Sequence, residues 1–501
     1  MFAIAHRGGF PRPLTLSAAA LCLMTTSALA QEMSAKDAWQ DLRIRARESG
    51  LLIASQGATD YGTALVATDV RVTSQDNPEA GVLTIPELRI EVRDGERVTL
   101  IPSPELTLTL HPSQRIEREF TLRHDGEVSY LVTDDTAEFD LGAETLEVEL
   151  TRALNRGEPA DTAFAMTLLG FRATLDALRE GTLEAVASAE SVDYSFVMAD
   201  DSARRPARQS GTARIEDLHI ELAGSELDTL PNEPGMLGRA FDAGFALRLA
   251  LSSGASIGSS EQSFGNAPIA LNSEAAQSDL LLDVSDGALL LETSVTDARF
   301  SGGMGPMQGD LGVARMALSI GAPLIRTTDD RIAHYNLDLT GITASEATLA
   351  LIGAQDFAGE TASLALGVSA DMRLLEDLGP EFGQGDEPPL DLSQARLDRL
   401  ELSLGDARLT GNGAFAFLGG LMASIDNDLP QGTGDFVFEL VGGDALLTRL
   451  SAAGLVPADQ QFFARMMMNG LGRPVGEDHL RSEVAIRPGG AITVNGAPLP
   501  F

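Results

Sequence analysis

Residues 146–150 read LEVEL, residues 88–93 read LRIEVR and residues 106–110 read LTLTL. In each run apolar and polar side chains alternate with a period of two. An extended strand puts Leu146, Val148 and Leu150 on one face and Glu147 and Glu149 on the other, whereas a helix would scatter them round its circumference. The pattern recurs at Val128, Tyr130 and Val132, at Leu218, Ile220 and Leu222, at Leu337 and Leu339, and at Leu400, Leu402 and Leu404. Asp, Gly, Asn and Pro fall between the runs. Such a chain is expected to form antiparallel sheet with one buried and one wet face. The predicted fold is mainly β, a β-rich α+β protein with two sheet-rich halves and a few amphipathic helices. A curved, groove-like sheet and a pair of closed sheets are equally compatible with the alternation.

The first thirty residues follow a different logic. Arg7 and Arg12 form a basic head, Leu14–Met24 an apolar run, and Ala28-Leu29-Ala30 a small-x-small site. This order predicts a signal peptide over residues 1–30, cleaved between Ala30 and Gln31, and hence export to the periplasm. The run is too short to span a bilayer. It contains Cys22, the one cysteine of the chain, preceded by Leu21 rather than the small residue of a lipoprotein signal. The mature chain is therefore expected to lack disulfides, thiol chemistry and cysteine-ligated metals. The longest later apolar run, Gly413–Ala423, has eleven residues and three glycines, so no integral membrane span is expected after cleavage.

A 501-residue chain with a formal charge of −37 repels phosphate backbones and anionic membrane surfaces, which argues against a nucleic-acid partner. Its length exceeds what one core organises. Ser252–Ser278, rich in serine and glycine, reads as a linker-like segment between an N-terminal half (31–251) and a C-terminal half (279–501).

Helices are predicted at three places. Ser34 and Asp37 form a capping box for a helix that buries Ala35, Trp39, Leu42 and Ala46, closes at Gly50, and pairs Asp41 with Arg45 on its outer side. Residues 164–178 and 436–450 share Phe164/Phe436, Leu168/Leu440, Gly170/Gly442, Ala173/Ala445, Leu175/Leu447 and Leu178/Leu450. Both read as a strand, a glycine and an amphipathic helix, a candidate internal repeat. Within 444–472, Asp444 is expected to cap one helix ending at Gly454. A second helix, begun at Pro457 and Asp459 and broken at Gly472 and Pro474, completes a C-terminal αα-hairpin. Strands over 480–486 and 492–494, turned at Pro488-Gly489-Gly490, close the chain.

The opening DAWQDLRIRARESG, the GDALLTRLSAAGLVP helix and the terminal AITVNGAPLP resemble an alphaproteobacterial family of exported proteins known only as domain of unknown function 2125. The resemblance implies export and a β-rich body and brings no catalytic residues. In its strand-and-helix style the chain is also similar to AsmA-like envelope proteins, which implies long curved sheets with an apolar groove.

No catalytic, cofactor-binding or metal-binding residues are assigned. His111, His124, His219, His334 and His479 show no ligand spacing, and His219 is expected on the wet face of its strand. Gly254-Ala255-Ser256-Ile257-Gly258 matches a nucleophile elbow but is not followed by a helix start. Asp426-Asn427-Asp428 lacks the remaining calcium ligands and the turn glycine. Arg204, Arg205 and Arg208 form the one basic cluster. The candidate ligand contact is Phe462, Phe463, Met466 and Met467, since methionine adapts to varied apolar ligands; a core layer under the hairpin explains the same four residues. The expected function is a non-enzymatic envelope protein that binds a lipid or other hydrophobic ligand. Its alternative is a periplasmic scaffold with closed cores and another envelope protein as partner.

Overall fold

The structure, a computed structural model, describes residues 34–499 apart from 49, 94–96, 133–135, 179–181, 201–206, 228–236, 265–266, 305–306, 379–381, 383–388 and 422–430. The cleavage-site residues Ala28, Ala30 and Gln31, and likewise Arg204, Arg205 and Asp426–Asp428, lie outside the described residues. Among the described residues strand makes up 68% and helix 13%, so the fold is mainly β, as the alternation predicts. Among the described residues the strands form one large antiparallel sheet, with five helices.

Helix α1 (Ala35–Glu48) comes first, then β1 (Leu51–Ala54), β2 (Gly57–Asp60), β3 (Ala64–Ser74) and β4 (Gly81–Arg93). Next are β5 (Arg97–Pro102), β6 (Glu105–Ser113), β7 (Ile116–His124), β8 (Glu127–Val132) and β9 (Thr136–Asn155). The short β10 (Glu158–Pro159) leads to three long strands, β11 (Thr162–Leu178), β12 (Leu183–Asp200) and β13 (Ala207–Ser225). Helix α2 (Leu237–Asp242) precedes β14 (Ala246–Ser253), β15 (Ser256–Phe264), β16 (Ala267–Ala275) and β17 (Gln277–Ser285). After β18 (Ala288–Met304), β19 (Met307–Pro323) and β20 (Arg331–Ala344) comes helix α3 (Glu346–Ala350). Then follow β21 (Ala362–Leu374), β22 (Leu390–Leu404), β23 (Ala407–Phe417) and β24 (Gly432–Val441). Helices α4 (Gly443–Ala452) and α5 (Ala458–Leu471) lead to β25 (Arg473–Gly476), β26 (His479–Arg487), β27 (Ala491–Val494) and β28 (Ala497–Pro498).

Two compact units result, one reaching Ser225 and taking in Ser256–Ala270, the other Glu226–Ala255 with Leu271–Phe501. The serine-rich stretch read as a linker is built into strands. Ser256–Phe264 pairs residue by residue with Ala207–Ile215, because the sheet recruits backbone groups and places no demand on side chains that point to water.

The first unit has its main core under α1, while β6, β7 and β13 beyond it are half-buried or exposed. Trp39, Leu42, Ala38 and Ala46 of α1 pack over Leu65, Val70, Leu88, Ile90, Val98 and Tyr130. The capping box forms: the Asp37 amide donates to Ser34 Oγ at 3.2 Å and the Ser34 amide to Asp37 Oδ2 at 3.3 Å. Arg45 does bond Asp41 at 2.5 Å, but not on the outside, since its side chain is 2% exposed. A second cluster joins Leu168, Ala189 and Val192.

One predicted helix is absent. Residues 171–178 continue β11, paired on both sides with β9 and β12. Gly170 adopts the left-handed region (φ +60) in mid-strand and switches the inward set from Phe164, Met166 and Leu168 to Phe171, Ala173 and Leu175. The switch leaves Leu168, Phe171, Leu175 and Leu178 at spacings that mimic a helical stripe. At the equivalent place in the second unit a helix does form, so the two segments are not a strand–turn–helix repeat.

Leu42→Ala is expected to destabilise the first unit by about 2–5 kcal/mol, read by urea unfolding through Trp39, the one tryptophan of the chain. Burial, then the neighbouring Asp41 carboxylate, pushes the Tyr130 phenol well above its ordinary value. The folded unit therefore prefers the neutral phenol; this preference is harmless below roughly pH 10, and stability falls as pH rises from there toward the folded value. The urea midpoint should drop less from pH 9.5 to 11 in Tyr130→Phe than in the parent chain; equal drops would contradict the assignment.

Candidate hydrophobic ligand site

In the second unit the register lines up apolar residues strand after strand. Leu249 of β14 pairs with Leu282 of β17, Leu282 with Leu291 of β18, and Leu291 with Ile320 of β19. The rung continues through Tyr335 of β20, Val368 of β21 and Leu397 of β22. It then passes Gly413 of β23 and Phe436 of β24 to Val484 of β26 and Val494 of β27. Directly paired residues share a face, so this is one apolar line across eleven strands. A second rung runs Leu318, Leu337, Leu366 and Leu400, and a third Met316, Leu339, Leu364, Leu402, Leu409, Leu440 and Leu480. On the main rung every residue but Val494 is only half-buried. Among the described residues, both clusters of mutually packed buried side chains belong to the first unit.

Beside the main rung the side chains shrink. Ala333 pairs with Ala370 and Ala370 with Ala395, which faces Phe415. The step from Tyr335, Val368 and Leu397 down to three alanines opens a hollow of ≈ 530 Å³, walled on one side by Phe415 and Phe436. Glycine lets those rings lie down. A Cβ on Gly413 would sit 2.3 Å from the Phe436 ring and 2.6 Å from the Asp435 carbonyl oxygen, and one on Gly432 would sit 2.4 Å from the Phe415 ring. Each phenylalanine thus lies over a glycine of the neighbouring strand and keeps the floor of the hollow low.

The opposite face is polar and cross-braced by arginine. Arg399 bonds Glu401 at 2.9 Å and Asp338 at 3.4 Å, and Arg408 reaches Glu401 at 2.6 Å. The hydrogen bond from Arg399, reinforced by the charge of Arg408, holds the Glu401 carboxyl below the usual range. Arg481 likewise spans Glu439 and Glu483. A second hollow of ≈ 640 Å³, at the ends of β18 to β20, mixes Arg326, Asp329, Asp330 and Arg331 with Leu289, Leu290, Ile325 and Ile332.

The helical hairpin forms as predicted, with a different cap. Gly442 takes φ +70 and the Asp478 carboxylate accepts from the amides of Asp444 at 2.9 Å and Ala445 at 3.0 Å. Asp444 instead holds Arg465 of α5 at 2.5 Å. Phe462, Phe463, Met466 and Met467 are 73%, 57%, 51% and 42% exposed. They form the outer face of α5, while Gln461, Ala464, Arg465 and Met468 are its more buried side. They do not line the hollow.

Among the described residues the isolated motifs stand apart from one another. Ser256 lies within β15, opposite Ile215, so Gly254–Gly258 is no strand-to-helix elbow. His219 is on the wet face, 3.0 Å from Glu221. His334 Nε2 lies 3.1 Å from Ser319 Oγ, which donates to Glu292 at 3.3 Å; this cross-strand chain stands on the polar face. Arg208 is paired with Asp161 at 2.5 Å. Among the described residues no group of three or more His, Cys, Asp or Glu could hold a metal ion.

The hollow was reachable in the sequence through one signal. GAFAF at 413–417 and GDFVF at 434–438 each place a glycine and two phenylalanines at alternate positions, so that antiparallel pairing can set a ring of one strand over a glycine of the other. Comparison with known protein families, curated proteins and solved structures finds no match.

Gly413→Ala should cost the second unit about 1–3 kcal/mol, because the new Cβ meets a backbone carbonyl as well as a ring. A urea series followed by circular dichroism measures it; an unchanged midpoint would mean that the ring does not lie over Gly413.

Proposed function

We propose that this chain is an exported, non-catalytic protein of the cell envelope that carries a lipid or another hydrophobic ligand along the apolar face of its second unit. The observation that supports it is the unbroken apolar rung over eleven strands, half-buried and opening into an alanine-floored hollow. Soluble proteins rarely leave apolar surface of this extent uncovered unless something binds there. The hollow falls within the roughly 300–1,000 Å³ of small-ligand sites. Each ligand methylene removed from water there contributes about 0.8 kcal/mol, so an acyl chain of ten buried carbons gains roughly 8 kcal/mol before association costs. The polar, arginine-braced reverse face suits solvent. A scaffold with closed cores would have no use for such a face.

Gentle purification followed by native mass spectrometry and lipid extraction tests the proposal. A stoichiometric lipid is expected with the parent chain and is expected to be lost in the Val368→Asp/Leu397→Asp double variant, with an unchanged circular dichroism spectrum. A clean apo mass for the parent, with no binding of a neutral hydrophobic dye, would move the function to the scaffold alternative.

A further inference from the structure

Helix α5 turns its greasiest side outward. Phe462, Phe463, Met466 and Met467, at i, i+1, i+4 and i+5, share one stripe, and all four are exposed. Met468 on the inner side converges with Leu440 on Gly443, each within 3.0 Å of where a Cβ would stand. Gly472, just past the helix, is as close to Leu480. The helix is thus fixed to the third apolar rung by one side and leaves the other free. It has 14 residues, and no described helix is long and apolar enough to cross a membrane.

We propose that the outer face of α5 seats on a lipid bilayer with electrically neutral headgroups. The apolar stripe lies in the interfacial region and the helix axis lies parallel to the surface. Charge selects this occupant. The charged residues of α5 are Asp459 and Arg465, and Arg465 is already engaged by Asp444 at 2.5 Å and by Thr448 at 2.8 Å. Arg465, beside Met466, is the one basic residue of α5, Gln460, Asn469 and Gly470 stand along the rest of the stripe, and the chain as a whole carries −37. An anionic surface would repel it; a neutral one presents no such barrier. Continuity gives the contact a purpose, which rests on the ligand site proposed above. Leu440 beneath the hairpin, then Phe438, then Phe436 follow one another on the same face of β24, and Phe436 walls the hollow. An acyl chain leaving a bilayer at α5 meets an apolar track from the hairpin to the hollow without crossing the polar face.

Flotation of the purified protein with phosphatidylcholine vesicles tests the contact, beside vesicles half phosphatidylglycerol and beside sedimentation without lipid. The parent chain should float with neutral vesicles and less with anionic ones. Phe462→Ser/Phe463→Ser should weaken flotation about tenfold or more, yet still bind a soluble hydrophobic dye. Val368→Asp/Leu397→Asp should do the reverse. Failure of the parent to float, or equal flotation of the Phe462→Ser/Phe463→Ser variant, overturns the proposal. So does a dimer of the parent that this variant dissociates, since a second copy would then cover the stripe. Flotation lost in the stripe variant, with no dye bound by any form, upholds the membrane contact and removes the ligand site alone.

Discussion

Register is the constraint on which the rest of this structure depends. With a side-chain period of two, slipping any one strand by a single residue would send its apolar set to the polar face. From β14 to β27 each strand must therefore meet its neighbour in phase, and it does so even where it is irregular. In β22 one residue is left out of the pairing, so that Leu397 opposes Val368 and Leu400 opposes Leu366; the three-residue step along the chain restores the face. Gly170 acts alike in the first unit. There the left-handed residue turns the strand over, and the apolar line resumes at Phe171. Bulges here preserve a surface rather than end a strand.

The two units use the same alternation for different ends. In the first, α1 lies across the apolar face and Trp39, Leu42 and Tyr130 become core. In the second, the hairpin of α4 and α5 packs at Leu440, Gly443 and Leu480, and the hollow between Tyr335 and Phe436 is left accessible. Exposed apolar sheet is an aggregation hazard. The high negative charge of the chain counters it by keeping copies apart.

Much of this was legible in the amino-acid sequence. The strands at 88–92, 106–110 and 146–150, the Ser34–Asp37 capping box and the helical hairpin are local features with local causes, and they stand where the pattern places them. What was not legible has three physical sources. A one-residue bulge and a helix generate the same apolar spacing, so 171–178 and 443–450 cannot be told apart without knowing that the first has partner strands on both sides. Serine is as good a backbone as any, so 252–278 hides its strands. Long-range partners leave no local trace: Asp478, not Asp444, caps α4. The site itself was half-legible. Phe462, Phe463, Met466 and Met467 could be picked out as an amphipathic face, but which face of α5 turns inward depends on Leu440 and Gly443. The hollow depends on three alanines that become neighbours only through pairing.

The central claim is that the apolar face of the second unit is open to ligand, and thiol accessibility tests it most directly. Val368→Cys in a Cys22→Ser background, stripped of lipid, should react with a water-soluble maleimide nearly as fast as an exposed thiol, and should be protected once lipid is returned. Labelling as slow as that of Ile90→Cys in the closed core of the first unit, with no change on adding lipid, would contradict it.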